Sequence, residues 1–324
     1  MPLQFGLLDE PLPVVIIPDR SLVYYTWDLK TWWKRSIGLA LKNFSYSATI
    51  NKFAATLPGT PTVAPVNIAV GTNIISSQVS VFVGLSSLLQ SSGVSSVHYV
   101  NEQWFLCEQR YVHRFPNDGS IATRYSVATG LIMATIIYDA TTSRYIIAGE
   151  TYNYYTTNFS SFLQVSNGLG VGGRMNSMCV GSGGRIVSVG WVLTAGKIST
   201  SDNSGGSWTA RTLNPPAGVT TYTALVVVYV SQLGMYFIGC QGGLIYSSSD
   251  AITWTHRITL TNAASPYTLG YSEKLKKVLA VGCNSLGLCC VESTNGITWI
   301  DSAPVNNDSW TSLMTSPNKG VITR

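Results

Sequence analysis

Short apolar runs alternate with small polar turns along most of the chain. In "RYIIAGETYNYYT" (residues 144–156) an apolar run rich in β-formers ends near Gly, and a second run resumes after a short loop. This pattern is typical of a β-hairpin. A further run with a polar break precedes it in "TIIYDATTSRY". The same order recurs downstream, so the pattern predicts units of four antiparallel strands, which we call strands a to d.

A repeated turn follows strand c of these units. It reads Ser or Thr, any residue, Asp or Asn, a short turn, Ser or Thr, and Trp, and we call it the box. The Asp or Asn side chain bonds backbone N–H groups two residues on, Gly tolerates positive φ, and Trp buries its ring against a neighbouring sheet. Clear copies contain Ser201, Asn203 and Trp208; Ser248, Asp250 and Trp254; and Ser293, Asn295 and Trp299, whereas weaker copies contain Thr26, Asp28 and Trp32, or Asn158 and Phe162.

The boxes are evenly spaced. With Phe115 added, the anchoring aromatics lie at 115, 162, 208, 254 and 299, at spacings of 47, 46, 46 and 45 residues. A period in the forties is typical of an array of four-stranded propeller blades. At this period a chain of 324 residues holds about seven blades.

The two ends of the chain complete each other. Residues 312–324 align with strands a and b of the preceding unit, and residues 13–33 supply the strands that follow. Residues 33–96 show no further box, but 44–57 and 66–84 read as strands of one blade. We therefore predict one all-β domain, residues 1–324, that forms a β-propeller of about seven blades. We expect strands from both ends to share one blade, which closes the ring and pairs an open edge.

The repeated units resemble the Asp-box, or bacterial neuraminidase, repeat of sialidase-type β-propellers. "SSDAITW" and "STNGITW" are close matches, and "SDNSGGSW" matches with Asn203 in the Asp position. The resemblance implies that the boxes are structural and lie away from the usual ligand face. It gives a fold rather than an activity.

Composition narrows the class of protein. Charged residues make up 11% of the chain, well below the usual quarter, with a mean hydropathy of +0.20. Such a surface suits a protein that lives among partners or faces carbohydrate. The net charge of +5 is spread along the chain, so we expect no nucleic-acid partner. We also expect no signal peptide and no membrane insertion, because no long apolar stretch is present.

These observations favour a virion protein. A composition typical of extracellular β-proteins, without an export signal, fits a chain made in the host cytoplasm and assembled into a bacteriophage tail. We expect a non-enzymatic structural or binding propeller of the tail or host-adsorption apparatus. Its expected partners are other virion proteins and, as a second class, a host surface glycan. The phage assignment is an analogy with other propellers.

No cofactor, metal or disulfide framework is predicted. The six cysteines lie in apolar strands and read as small buried hydrophobes, and the three histidines lack zinc-site spacing. The "GLGVGG" segment, residues 168–173, is not followed by a helical pattern, so it predicts a connector between strands d and a rather than a dinucleotide site.

Two alternatives stay open. A sialidase-like enzyme would use a Tyr–Glu pair, and Glu150 and Tyr152 are the candidates. The early Arg-Ile-Pro signature that the resemblance implies is absent. The chain has 15 Asp and Glu residues, so two of them acting as the carboxylate pair of a general glycosidase stays an open alternative. The other alternative is an intracellular assembly factor of the same repeat family, which would be expected to concentrate Arg on one face.

Binding is predicted on the face opposite the boxes. Turns between strands c and d emerge on one face of a propeller, whereas b–c loops and d–a connectors emerge on the other. Loops on a rigid scaffold often carry function. We expect the b–c loops to carry the contact residues Asp19, Arg20, Arg110, Tyr111, Glu150, Tyr152, Trp191, Gln241 and Asn284.

Overall fold

The computed structural model describes most of the chain between residues 15 and 322. The described residues are 15–26, 28–30, 32–47, 49–50, 52–56, 68–71, 80–82, 94–116, 123–127, 133–170, 172–220, 222–284, 287–302 and 321–322. Their regular structure is β, apart from two short 3-10 turns at Ser182–Gly184 and Thr261–Ala263. The described part contains no helix that is long and apolar enough to cross a membrane.

Five regular sheets repeat the predicted unit. Each consists of four antiparallel strands in sequence order, because each strand pairs with the next through a short turn. We number these sheets blades 1 to 5. The strands are β6 Val94–Val100, β7 Gln103–Glu108, β8 Tyr111–Phe115 and β9 Thr123–Ser126 in blade 1; β10 Met133–Asp139, β11 Arg144–Gly149, β12 Tyr152–Thr156 and β13 Leu163–Ser166 in blade 2; β14 Arg174–Val180, β15 Ile186–Val192, β16 Ala195–Ser201 and β17 Thr209–Arg211 in blade 3; β18 Ala224–Val230, β19 Met235–Cys240, β20 Leu244–Ser248 and β21 Thr255–Thr259 in blade 4; and β22 Ser265–Ser272, β23 Lys277–Asn284, β24 Gly287–Ser293 and β25 Ile300–Ser302 in blade 5.

The remaining strands form one six-stranded sheet from both ends of the chain. Its order is β26-β1-β2-β3-β4-β5. The first part of β2 pairs with β1 and its last part pairs with β3, so this long strand joins a closing blade to a further four-stranded blade. The strands are β1 Val15–Thr26, β2 Trp32–Ser47, β3 Lys52–Thr56, β4 Ile68–Gly71, β5 Ser80–Phe82 and β26 Val321–Ile322.

The sheets are arranged as a closed ring. The first strands of blades 1 to 5 contact one another in order, β2 contacts β6, and β22 contacts β26. The ring closes where β26 pairs with β1, through Val15 with Ile322 and Ile16 with Val321. The five regular blades, the β2–β5 blade and the closing blade confirm the predicted propeller and the blade shared by the two ends.

The core lies between neighbouring sheets. Phe105 of blade 1 stacks on Phe159 of blade 2, with ring centroids 5.5 Å apart. Phe237 of blade 4 meets Trp299 of blade 5 edge to face at 5.9 Å. Second strands of the blades, such as β11 and β19, are buried along nearly their whole length, so they read as nearly continuous apolar runs.

The box turns share one hydrogen-bonding pattern. In blade 4 the Ser248 hydroxyl donates to Asp250 Oδ1 and accepts from the backbone N–H of Ala251, both at 2.8 Å. Asp250 Oδ1 accepts from the backbone N–H groups of Ile252 and Thr253, both at 2.8 Å. Corresponding bonds are made by Thr26 and Asp28, Thr156 and Asn158, Ser201 and Asn203, and Ser293 and Asn295.

Each box also contains a buried residue with positive φ, and the box of blade 3 contains two, Ser204 and Gly205. In blades 3 and 5 the glycine of the box faces the preceding blade. A Cβ on Gly205 would meet Ile146 of blade 2, and a Cβ on Gly296 would meet Phe237 of blade 4. Phe159 fills the same place in the weaker box of blade 2 with φ 63°, although glycine tolerates this conformation better. The boxes therefore join neighbouring blades, which is a structural role.

Phe115 is not the anchoring aromatic of a box, contrary to the prediction from the spacing. Phe115 is the last residue of β8 and pairs with Trp104, just as Ser201 pairs with Ile186 at the end of β16. Phe115 therefore corresponds to the box Ser, not to the box Trp. Two bulky aromatics stack at this position, with Phe115 and Trp104 centroids 6.3 Å apart, so packing replaces the hydroxyl. The spacing of 47 residues therefore joins two different positions of the repeat, and the spacing from Phe115 to the matching Thr156 is 41 residues.

Asp250→Asn should preserve the box turn but reduce the dependence of the protein's stability on pH. The pKa of the Asp250 carboxyl lies below its ordinary value of 3.8, chiefly because the Thr253 N–H donates a hydrogen bond to it. Partial burial has the opposite, smaller effect on this pKa. A depressed folded-state pKa gives stability that is present above the unfolded pKa and is lost as pH falls through the folded pKa. Since Asn295 builds the same turn, we expect nearly unchanged stability at neutral pH and a smaller loss on acidification. Urea unfolding across the acid range measures this, and equal acid losses in both proteins would contradict it.

The five cysteines whose side chains the structure describes behave as predicted for buried hydrophobes. Cys107, Cys179, Cys240, Cys289 and Cys290 are free thiols, and four of them are buried. Burial raises the pKa of Cys179, Cys240 and Cys290. Neutral thiols of this kind are poor nucleophiles and poor metal ligands.

Candidate functional site

The b–c turns lie on the same side of the ring as the d–a connectors. The backbone N–H of Thr151 in a b–c turn donates to Gly173 O at 2.7 Å, and Val127 N–H donates to Arg110 O at 2.9 Å. The box turns lie with the a–b turns on the other side, where Arg185 contacts both Asp202 and the carbonyl of Asp250. We call the first side the loop face and the second the box face.

Most of the predicted contact residues lie on the loop face. Arg110, Glu150 and Gln241 lie in b–c turns, Tyr111 and Tyr152 begin strand c, and Trp191 lies near the end of strand b. Asn284 ends β23 and pairs with Gly287, and its side chain lies outside the described residues.

Asp19 and Arg20 were wrongly assigned to a loop. Both lie inside β1, and Arg20 pairs with Leu41 next to a register shift. Pro18 and the polar residues after it resemble a turn signal, but Pro is tolerated at irregular places in a sheet. The side chains of Asp19 and Arg20 lie outside the described residues.

Arg174 connects two of the predicted residues. This first residue of β14 pairs with Trp191 of β15, and its guanidinium carbon lies 5.6 Å from the Trp191 ring centroid. Its Nε also donates to Glu150 Oε1 of blade 2 at 3.3 Å. Arg174 is 44% exposed and Glu150 is 23% exposed. We call Glu150, Arg174 and Trp191 the loop-face triad.

The glycine-rich segment holds the triad in place. As predicted, it connects strand d of blade 2 to strand a of blade 3. Asn167 Nδ2 donates to Gly173 O at 3.2 Å, and the Gly172 N–H donates to Thr151 Oγ1 at 3.3 Å. These bonds tie the connector to the turn that carries Glu150. Arg174 follows directly, so its backbone position is fixed by its neighbours.

A second aromatic and basic cluster lies in blade 1. The guanidinium carbons of Arg110 and Arg124 lie 5.1 and 4.7 Å from the Tyr111 ring centroid. Next to Tyr111, the fully buried His113 and Glu108 bond through Nε2 and Oε2 at 2.9 Å. The buried pair stiffens the hairpin next to these half-buried cations.

These groups are equipped for noncovalent recognition. Trp and Tyr offer flat apolar faces, and Arg and Glu offer directed donors and acceptors, a combination that suits sugars and protein hot spots. The suggested Glu150–Tyr152 pair meets through its backbone, where Tyr152 N–H donates to Glu150 O at 2.7 Å, while the Glu150 carboxylate accepts from Arg174. Among the described residues, no group of three or more His, Cys, Asp and Glu side chains could hold a metal ion.

Arg174 was missed from the sequence. It lies at the end of a connector, and its ion pair with Glu150 spans 24 residues. The available signal was its position directly after the glycine-rich segment, on the face where b–c loops emerge. A cation at that place could have been added to the predicted set.

Comparison with solved structures supports the fold. A virginiamycin B lyase from Staphylococcus aureus superposes with a TM-score of 0.63 at 10% identity, over 81% of this chain and 83% of that one. YCF48 from Cyanidioschyzon merolae gives 0.60 at 13% identity, over 86% and 95%. The GH74 xyloglucanase from Xanthomonas campestris gives 0.58 at 13% identity, over 89% and 55%. No known protein family and no curated protein matches the sequence.

These neighbours include enzymes and a protein that, in another structure, is bound to a D1 peptide. At such low identity the likeness shows a β-propeller and leaves the activity open.

Proposed function

We propose that this chain is a non-enzymatic binding propeller of a bacteriophage tail or host-adsorption apparatus, which uses its loop face to contact other virion proteins and a host surface glycan. The observation that carries the proposal is the loop-face triad. Its three side chains come from the b–c turn of blade 2 and from the loop-face ends of β14 and β15, and they meet at the surface, where a partner can reach them. A partner that buries the triad would gain binding energy there, since Trp and Arg are enriched among the residues that contribute most to binding.

Three further features support this proposal. Only 11% of the residues are charged, so charge repulsion does little to keep the surface from associating with partners. The box turns are used inside the fold, as expected if the chain is an Asp-box propeller whose boxes are structural. The triad offers positioning groups without a pair of free carboxylates, because Glu150 is engaged by Arg174. Glycosidases of the two-carboxylate type need both acids available to the substrate.

Arg174→Ala and Trp191→Ala test the proposal. Each is expected to weaken incorporation into particles or binding to host surface polysaccharide by about 30-fold, the effect of losing about 2 kcal/mol at a hot spot. The melting temperature should change little, because Arg174 is 44% exposed. Arg211→Ala is the matched control, since Arg211 bonds Thr200 within blade 3 and lies outside the triad.

Two results would contradict the proposal. If both variants bind and assemble like wild type, the contact surface lies elsewhere. If wild-type protein cleaves the polysaccharide and releases reducing ends, the chain is a glycan-processing enzyme instead.

A further inference from the structure

Three polar side chains are buried inside the contact between blades 2 and 3. Asn153 of β12 is 1% exposed, and Ser188 of β15 and Ser199 of β16 are fully buried. Asn153 Nδ2, Ser188 Oγ and Ser199 Oγ have no hydrogen-bond partner among the described residues. A buried polar group without a partner costs stability, and in native proteins such groups bond a protein atom or an ordered water.

The two serines lie side by side on the same face of blade 3. Ser188 pairs directly with Ser199 across β15 and β16. Ile186, two residues before Ser188, belongs to the same core cluster as Ile146 of blade 2, so this face is directed at blade 2. Directly opposed side chains have Cβ atoms about 5 Å apart, and a single water molecule can bridge two hydroxyls at such a spacing.

Asn153 is directed the other way, from blade 2 toward blade 3. It pairs with Ala148, which belongs to the same core cluster as Ile186 of blade 3. The Asn153 Oδ1 accepts from the Gly149 N–H at 3.4 Å. The amide nitrogen is therefore the group that Asn153 offers as a donor inside the contact.

The other blade contacts show that these three positions meet in the core. Positions can be matched between blades by counting back from the last residue of strand c. The counterparts of Asn153, Ser188 and Ser199 are Val112, Ile147 and Tyr154 between blades 1 and 2; Ile198, Ile238 and Tyr246 between blades 3 and 4; and Ile245, Ala280 and Val291 between blades 4 and 5. Each set lies within one hydrophobic cluster. We therefore expect Asn153 to lie across from the two serines.

Blade 3 also leaves room at these positions. Blades 2 and 4 place an isoleucine and a tyrosine where blade 3 places two serines, and the serines fill much less volume. Met178 pairs with Ser188 and is the longer side chain beside it, but it offers at most a weak sulfur acceptor. A site that is both roomy and lined by several polar groups is one that holds water.

We propose that a buried water molecule is bound between blades 2 and 3 by Asn153 Nδ2, Ser188 Oγ and Ser199 Oγ. The water accepts a hydrogen bond from Asn153 and bonds both hydroxyls, which gives it the three partners typical of internal water. It links β12 of blade 2 to β15 and β16 of blade 3. Among the described blade contacts, no other has polar side chains at all three positions, so we expect this water in one contact only.

The direction of a change in melting temperature tests the site. Ser188→Ala and Ser199→Ala each remove one hydroxyl. If the hydroxyls bond a water, each variant should melt about 2–4 °C lower, the effect of losing one hydrogen bond in a chain of this size. If the hydroxyls have no partner, their removal relieves a desolvation cost. An equal or higher melting temperature in both variants would therefore overturn the proposal.

Ala280→Ser is the matched control. Ala280 is the blade 5 counterpart of Ser188, and it lies in an apolar cluster with Ile245 and Val291. A hydroxyl added there should find no partner, so this variant should melt at a lower temperature than wild type. If it melts like wild type, hydroxyls in these contacts need no partner, and the reason for placing a water at Ser188 is lost.

A high-resolution crystal structure of the wild-type protein locates the water directly. We expect a density peak within hydrogen-bonding distance of all three atoms, and loss of that peak in the double variant Ser188→Ala/Ser199→Ala. Side chains that bond one another with no peak between them, or a peak that contacts only one of the three atoms, would overturn the proposal. This measurement also decides the question if an alanine variant fails to fold.

Discussion

Trp254→Ala is expected to lower the free energy of unfolding by about 3–5 kcal/mol, as large-to-small changes of buried aromatics do. The Trp254 side chain is 8% exposed and packs in the cluster between blades 3 and 4. It meets Tyr236 edge to face at 6.5 Å, and its Nε1 donates to Ala251 O at 3.2 Å. Denaturant unfolding followed by circular dichroism measures the loss.

Two further variants identify the cause of this loss of stability. Trp208→Ala should cost less, because Trp208 makes the same bond to Gly205 O at 3.1 Å but is only partly buried. Trp254→Phe should keep most of the packing and lose about 1 kcal/mol with the hydrogen bond. If Trp254→Ala instead leaves stability intact and abolishes partner binding, the boxes are a recognition surface.

Deleting residues 310–324 is expected to open the ring. The deletion removes β26, which pairs with β1 and contacts β22. The edge of β1 would then be free to pair with other chains, which favours aggregation. We expect the melting temperature to fall by about 10 °C or more, which corresponds to several kcal/mol for a chain of this size.

A shorter deletion provides the control. Removing only residues 323–324 keeps β26, so melting and oligomeric state should match the full chain. Calorimetry and light scattering measure both properties. A 310–324 deletion that melts like the full chain and stays dispersed would show that the paired ends add little stability.

The repeat made most of the fold predictable. Apolar runs fixed the hairpins of blades 2 to 5, and the boxes at Ser201, Ser248 and Ser293 fixed the ends of strand c. The weaker box at Thr26 marked the turn after β1. These features are local in sequence, and the physical reasons for them act within a few residues.

Contacts distant in sequence were not predictable in the same way. Phe115 replaces a box Ser by aromatic stacking, so its alignment depended on a partner strand. Asp19 and Arg20 carry the residue types of a turn, but pairing across the sheet holds them in β1. Arg174 gains its place in the triad from the adjacent blade. In each case a tertiary contact outweighed the local pattern.

Mass spectrometry of purified phage particles tests the central claim most directly. The sample is a preparation from cells that express this chain, freed of unassembled protein by density-gradient centrifugation. We predict that the chain copurifies with the tail proteins in a fixed ratio, and that Arg174→Ala lowers this ratio while Arg211→Ala does not. Particles that are complete and infectious without the chain, which then remains with the soluble host-cell proteins, would contradict the claim.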